Sequence, residues 1–444
     1  VTSSRLLEQI TAARWFGGKG RRARLAGLTP LPWLRPPGDW PAIRSEIADI
    51  GYDDGSHEHY QLVIGYRPAT EPPPDPAAAS EPLITIDDPD HGRLAGHDAT
   101  ADPRLHAALL ALIIDQDQRG DRTVLAGHRL GLPGGLRPGL PSRVFSGEQS
   151  NTSILYGDVA LAKLFRRLEP GRNPDIAVHD QLTRAGTAGI ARLYGWLQAG
   201  IPNAAGEPFD LMMMVEQVAD ARDGWRLALE AIAQGRPFDA EAAALGAALA
   251  SVHAGLRQHF PTGELRGDVV ADAMISRLDA ATAVVADLEP LQTRLAAIFD
   301  RLRGETVPVQ RLHGDCHLGQ ALWSTDRWTI IDFEGEPAKP FTERIGPDNI
   351  WRDLAGVLRS FDYAAAQAAM SSAAAAPDRA WRDACQQAFL TGYGDAATAG
   401  AGPLRAAYLA DKAIYEVVYE ARNRPDWVVI PLTAAAQLAD GAQS

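Results

Sequence analysis

The segment with the most chemistry per residue is Val309-Gln-Arg-Leu-His-Gly-Asp-Cys-His-Leu-Gly-Gln320, followed by Trp328-Thr-Ile-Ile-Asp-Phe-Glu334. Asp315 sits in a His-Gly-Asp turn, Gln320 follows after a five-residue step, and an apolar run then leads to Asp332. Phosphoryl transfer from ATP needs a carboxylate that orients and deprotonates an acceptor hydroxyl. It also needs hard oxygen ligands for Mg²⁺ and a cation for the donor phosphates. Asp315 suits the first role. Gln320 and Asp332 suit the second, because Mg²⁺ takes an amide oxygen and a carboxylate while keeping several waters. A lone His-Gly-Asp turn or a lone acid ending a strand is ordinary. The order of acid, amide, apolar strand and second acid is what makes the signal specific.

Those residues need a frame. The run Trp328–Phe333 reads as a strand, its apolar part ending in Asp332 and placing that carboxylate at a strand terminus. Upstream, Ser153–Tyr156 and Val159–Phe165 read as strands, the second carrying Lys163. Asp175–Arg184 reads as a helix, and Leu193–Leu197 and Leu211–Val215 as two further strands, which together suggest a small antiparallel sheet carrying one helix. In residues 1–68 the clearest strand is Tyr60–Tyr66. Residues 69–80, rich in Pro and Ala, read as an exposed loop or linker. Helical periodicity covers His106–Gln118, Ala243–Leu256, Met274–Leu302, Trp351–Met370, Ala380–Tyr393 and Leu404–Arg422.

Composition bounds the reading. The chain has 444 residues and a formal charge of −13, from 43 Lys plus Arg against 56 Asp plus Glu. That sign repels nucleic acid and anionic lipid and argues against both as partners. The two cysteines form no CxxC pair, so a disulfide framework or structural zinc is not expected. A cytoplasmic location is expected, since the N-terminal residues lack an apolar signal core. Gly17-Gly-Lys-Gly20 lacks P-loop spacing.

The Asp315–Gln320–Asp332 pattern resembles the aminoglycoside-phosphotransferase-like kinases. Longer stretches are similar to the actinobacterial maltokinases: Arg14-Trp-Phe-Gly-Gly-Lys-Gly-Arg21, Glu148-Gln-Ser-Asn-Thr-Ser153, Lys163-Leu-Phe-Arg-Arg167, Asn173-Pro-Asp-Ile176, Leu358-Arg-Ser-Phe-Asp-Tyr363, and Lys412-Ala-Ile-Tyr-Glu416 with Tyr419 to Trp427. The resemblance implies an α+β, bilobal protein-kinase-like fold. Residues 1–95 would be an N-terminal cap, 96–215 an intermediate subdomain completing the N-lobe, and 216–444 a mainly helical C-lobe. It implies ATP and Mg²⁺ as cofactors and transfer to the anomeric hydroxyl of maltose for α-glucan synthesis. Association with trehalose synthase is a further family implication.

Carried over by position, Asp315 is the catalytic base, and Gln320 and Asp332 are the metal ligands. Lys163 contacts the donor phosphates, under a loop that includes Ser146, Ser150, Asn151 and Thr152. Backbone groups of Glu216 and Val218 meet adenine. The glutamate that kinase-like folds pair with the donor lysine is Ala177 here, which leaves either Asp175 or Asp180 as its substitute or a lysine oriented differently. For the acceptor, Lys412, Tyr415, Tyr419 and Glu420 share a helix face by spacing. Spacing alone favours a surface helix with ion pairs such as Lys412–Glu416, and the resemblance reverses this by assigning that face to sugar. Rival readings are a glucosamine kinase on the same scaffold, with carboxylates such as Glu416 and Glu420 around an ammonium, and a non-catalytic kinase-like binding protein.

Overall fold

The computed structural model describes residues 2–71, 81–145, 150–201, 206–336, 341–371, 379–395 and 401–441. They divide into two compact units, Val1–Asp180 with Arg192–Ala219, and Gln181–Ala191 with Asp220–Ser444.

The first unit opens with helix α1 (Thr2–Ala12) and an antiparallel sheet of β1 (Ala23–Pro30), β2 (Ala42–Tyr52), β3 (His57–Pro68), β4 (Ile84–Asp88) and β5 (Gly92–Asp98), in the order β1-β2-β3-β5-β4. Helix α2 (Pro103–Asp115) follows. Asp102 caps it by accepting from Arg104 N–H, and Pro103 stands where no helical donor is needed. The second sheet holds β6 (Gln118–Arg119), β7 (Val124–Arg129), β8 (Ser142–Val144), β9 (Thr152–Tyr156), β10 (Ala160–Leu164), β12 (Leu193–Gly200) and β13 (Phe209–Glu216), in the order β6-β7-β12-β13-β10-β9-β8. A short strand β11 (Arg167–Leu168) pairs instead with β3 and so joins the first sheet. Helix α3 (Pro174–Arg184) lies between β11 and β12 in the chain.

Alternation along the strands builds two cores. Val63 and Ile47 pack with α2 (Leu105, Leu109, Leu112) and the second sheet. Their neighbours Leu62, Ile64 and Ala48 point the other way, onto Leu6 and Ile10 of α1 and Phe16. A one-residue slip of β3 would exchange these two faces. The Met212–Met214 run is ordinary core strand, each residue at most 2% exposed.

The second unit is mainly helical. Its strands are β14 (Arg222–Asp223), β15 (Gly263–Arg266), β16 (Thr306–Val309), β17 (Ala321–Ser324) and β18 (Arg327–Ile330). Its helices are α4 (Gly224–Ala233), α5 (Asp239–His259), α6 (Gly267–Val284), α7 (Gln292–Asp300), α8 (Phe341–Arg344), α9 (Trp351–Ser371), α10 (Arg379–Tyr393), α11 (Ala401–Asn423) and α12 (Val429–Gly441). Two expectations are corrected. The single helix over Met274–Leu302 is broken at a 3₁₀ segment, Ala286–Leu291, because Pro290 has no N–H to continue an α-helical ladder. Strand β18 stops at Ile330, and Asp332 lies past its end in a left-handed conformation (φ 71°). Among the described residues no helix is long and apolar enough to cross a membrane.

Candidate active site

The loop between β16 and β17 holds Asp315, and helix α9 fixes that loop. Asp353, in the first turn of α9, accepts from His313 N–H and Gly314 N–H at 2.8 Å each. Its Oδ2 also meets His253 Nε2 at 2.9 Å, and His253 Nδ1 meets the Tyr393 hydroxyl at 2.7 Å. Asp353 is 1% exposed. Burial pushes its carboxyl up, but the His253 bond, the charges of His253 and His313 and the Gly314 N–H outweigh it and hold it at about 2. Ser360 Oγ, two turns further along α9, accepts from Leu318 N–H at 3.2 Å.

Two glycines make this approach feasible. Gly314 takes φ 90°, which a residue with a Cβ resists. A Cβ on Gly356 would lie 2.2 Å from Cys316 O, so only glycine lets α9 run this close to the loop. His313 then ties the loop to the second acid: its Nε2 donates to Ile331 O at 2.9 Å, and its Nδ1 accepts from Asp315 N–H at 3.3 Å. Ile331 N–H donates to Gln320 O at 3.0 Å. Gln320 Nε2 donates to Asp332 Oδ2 at 3.2 Å. The structure thus brings Gln320 and Asp332 together and pins both to the Asp315 loop.

Asp315 opens onto a small cavity of about 40 Å³ lined by Arg277, Glu336, Arg352, Asp411, Lys412 and Tyr415 among others. Lys412 Nζ stands 3.6 Å from both Asp315 Oδ1 and Glu336 Oε1. Burial draws the Lys412 ammonium down, but Asp315, Glu336 and Glu416 more than reverse this and raise it. Its Nζ also lies 4.8 Å from the Tyr415 ring centre. Arg277 forms a two-point pair with Asp411 at 2.8 and 2.9 Å.

The other two acceptor candidates fall elsewhere. Glu420 is 1% exposed, accepts from the Tyr363 hydroxyl at 3.1 Å, and binds Arg424 through Nη2 at 2.6 Å and Nε at 2.8 Å. Tyr419 is 46% exposed, stacked 6.4 Å from Tyr415. Neither lines the cavity with Asp315. Of the i,i+4 pairs expected on α11, Glu420–Arg424 is present, while Glu416 reaches a different helix. Glu416 pairs at 2.8 Å with Arg359 of α9, itself 2% exposed, and so serves as a brace between helices.

In the first unit, Lys163 on β10 points Nζ at Asp175 Oδ2, 2.9 Å away. Asn173 Oδ1 accepts from Asp175 N–H at 2.9 Å and sets the start of α3. Asp175 is buried, and Lys163 and His179 overcome the cost of burial to hold it well below the usual carboxylate range. Of the two acids considered, Asp175 is the one paired with Lys163, while Asp180 faces Arg172 at 3.5 Å. Thr152 Oγ1 accepts from Arg166 Nε at 2.8 Å and Asn151 Oδ1 from Arg166 N–H at 3.3 Å. Ser150 is exposed, and Ser146 lies outside the described residues. Glu216 ends β13, its N–H donating to Arg192 O at 2.8 Å, and Val218 follows two residues later. Gly17 N–H donates to the Tyr60 hydroxyl at 3.0 Å, so this glycine-lysine segment braces the first sheet.

The phosphotransferase enzyme family matches residues 219–385, and the maltokinase N-terminal cap domain matches residues 10–102. A glucosamine kinase of Streptacidiphilus jiangxiensis is 30% identical over 317 residues, which cover 64% of this chain and 70% of the relative. This chain belongs to the aminoglycoside-phosphotransferase-like family. A glucosamine kinase of Mycolicibacterium smegmatis is 28% identical over 326 residues, covering 67% of this phosphotransferase and 79% of the relative. The solved structure of a glucosamine kinase in complex with glucosamine, ADP and inorganic phosphate superposes with a TM-score of 0.67 at 22% identity, covering 97% and 98% of the two chains. The phosphotransferase accordingly has an α+β kinase-like fold with an N-terminal cap.

The donor set of this phosphotransferase fits a hard divalent cation. Asp332 and Glu334 bring carboxylate oxygens within 4.8 Å of one another, and the Gln320 amide lies beside Asp332. Turning that amide about its last bond exchanges the nitrogen for the oxygen a metal takes. Sequence reasoning did not single out Glu334, Asp353, Arg277 or Glu336. Glu334 and Glu336 stand in the Asp332 motif, and Asp353 shows as an acid in the first turn of a periodic helix. Arg277 carries no local signal, since its partner Asp411 is 134 positions away.

Proposed function

We propose that this phosphotransferase is an ATP-dependent sugar kinase that phosphorylates the anomeric hydroxyl of maltose, giving maltose 1-phosphate and ADP. The observation that carries the reading is Asp315, a carboxylate on a braced loop facing a pocket whose charges are already balanced. Asp315 takes the acceptor's proton as the hydroxyl oxygen bonds to the γ-phosphorus and the bond to the β–γ bridging oxygen breaks. Lys412, 3.6 Å from Asp315, holds that carboxylate in place. Lys163, aligned by Asp175, is assigned to the donor phosphates, with the Ser150–Thr152 turn as their cover and Glu216 and Val218 at adenine. Gln320 and Asp332, with Glu334 alongside, would hold Mg²⁺, which neutralises phosphate charge when bound.

Pocket electrostatics support a neutral acceptor. Asp411 already has Arg277, Glu336 has Arg352 and Lys412 at 3.6 Å each, and Asp315 has Lys412. An acceptor ammonium would have to displace one of these cations, whereas a neutral sugar hydroxyl does not. The cap-domain match points the same way. A second reading, glucosamine as acceptor, is favoured by the two glucosamine kinase relatives. A panel of maltose, glucose and glucosamine, read by ADP release with Mg²⁺ and ATP, decides. Turnover of maltose without glucosamine supports the first reading. Turnover of glucosamine alone replaces it with the second, and no turnover of any sugar overturns both. Asp315→Ala is expected to abolish turnover with folding and nucleotide binding intact. Near-normal activity in that variant would remove the mechanism.

A further inference from the structure

Arg166 is 4% exposed and lies two residues past the end of the strand that carries Lys163. Its donors reach in several directions. Nε binds Thr152 Oγ1 at 2.8 Å and the backbone N–H binds Asn151 Oδ1 at 3.3 Å, both in the turn assigned above to the donor phosphates. Nη2 binds Thr100 Oγ1 at 2.9 Å, just after β5, and Nη1 binds Gln61 O at 3.3 Å, on β3. Gln61 N–H returns a bond to Arg166 O at 2.7 Å. Its guanidinium carbon also lies 5.6 Å from the Trp15 ring centre, in the segment between α1 and β1. One side chain therefore joins the N-terminal sheet to Thr152, the first residue of β9.

The energetics argue against a purely space-filling role. These four donors all meet neutral oxygens, and burial lowers the Arg166 pKa although Asp98 opposes the shift. A buried guanidinium that bonds no carboxylate among the described residues is an expensive way to fill a core, and an apolar side chain of similar volume commonly does so at lower cost. What the guanidinium adds is a fixed geometry: its planar fork sets where Thr152 stands relative to β3 and Thr100, while the Arg166 backbone N–H holds Asn151.

We propose that Arg166 is a positioning residue through which the N-terminal sheet sets the Ser150–Thr152 turn and thereby nucleotide affinity. This rests on the assignment of that turn to the donor phosphates. The cap is then part of the donor site's machinery, acting through this arginine without touching nucleotide.

The test compares Thr100→Val and Arg166→Lys with a direct perturbation of the turn, the double variant Asn151→Ala with Thr152→Val. Thr100→Val removes one bond at the far end of Arg166 and nearly preserves shape. Binding of Mg²⁺–ADP is measured by calorimetry, alongside KM for ATP, KM for the acceptor and thermal stability. Loss of one buried hydrogen bond to a charged donor amounts to about a five- to thirtyfold effect. Nucleotide affinity is expected to weaken by about that factor in Thr100→Val and Arg166→Lys, with acceptor KM within about twofold of wild type. A lowered melting temperature with unchanged nucleotide affinity in both would reduce Arg166 to a structural residue and overturn the proposal. If the double variant also binds nucleotide normally, the assignment of the turn itself fails. If only the double variant is impaired, the assignment stands and the coupling through Arg166 does not.

Discussion

Asp353→Asn is the sharpest perturbation of the frame behind the site. Asp353 accepts three N–H groups, from His313, Gly314 and His253, all within 2.9 Å and all buried. Asparagine keeps the shape, but its NH₂ must face at least one of those donors. Its carboxyl is lowered from 3.8 to about 2, a shift that corresponds to roughly 2 kcal/mol of stability. Because the folded pKa is the lower one, this contribution is present above pH 3.8 and is lost as pH falls toward 2. By linkage it is nearly complete at pH 5 and reduced by about half at pH 3. Asp353→Asn is thus expected to cost about 2–4 kcal/mol at pH 5, including one unsatisfied donor. The gap in urea midpoint between variant and wild type should narrow clearly at pH 3. Comparing the two proteins at each pH cancels the other carboxylates. Turnover should fall by about 100-fold, since Asp315 follows Gly314 directly and an ångström of misplacement is enough. A stability gap that stays constant from pH 5 to pH 3, or turnover within twofold of wild type, would refute this account of the loop.

Glu420→Gln should lower thermal stability, by about 1–3 kcal/mol, because a buried acceptor of Arg424 and Tyr363 is altered; acceptor KM, measured in the same preparation, should not move. Asp175→Asn should raise nucleotide KM by about tenfold or more with acceptor KM unchanged, as Lys163 loses the carboxylate 2.9 Å away that orients it. Gly356→Ala should cost about 1–3 kcal/mol or prevent folding, since its Cβ meets Cys316 O; expression yield and circular dichroism check this.

How much of this was legible follows from sequence distance. The Asp315–Gln320–Asp332 set lies within one short segment, and its geometry is made by local bonds such as His313 to Ile331 O and Ile331 N–H to Gln320 O. Periodicity found the helices at α5, α9, α10 and α11 because each buries one continuous stripe. It missed the break before α7, since Leu288, Leu295 and Ile298 stay buried across the 3₁₀ segment and the apolar pattern runs on through Pro290. In the first sheet only β3 stood out. The neighbouring β2 is buried on both faces, so Ser45 and Glu46 sit inside and blur the alternation on which a strand is recognised.

The acceptor helix shows where spacing stops being informative. Lys412, Glu416, Tyr419 and Glu420 share a face by sequence, yet the residues of α11 divide among different partners: Lys412 to Asp315 and Glu336, Glu416 to Arg359, Glu420 to Tyr363 and Arg424. Periodicity reports that these residues lie on one side of a helix, and that side is wider than one pocket. Which of them meets substrate depends on which helix packs opposite each turn, and α9 covers the turns of Glu416 and Glu420 while leaving Lys412 beside the loop. The same argument explains why Arg277 was invisible: a cation that joins the site through an acid 134 positions away is recognised only once the fold has brought α6 against α11. Chemistry carried within one loop can therefore be read from residue order, whereas specificity carried between helices needs the packing first.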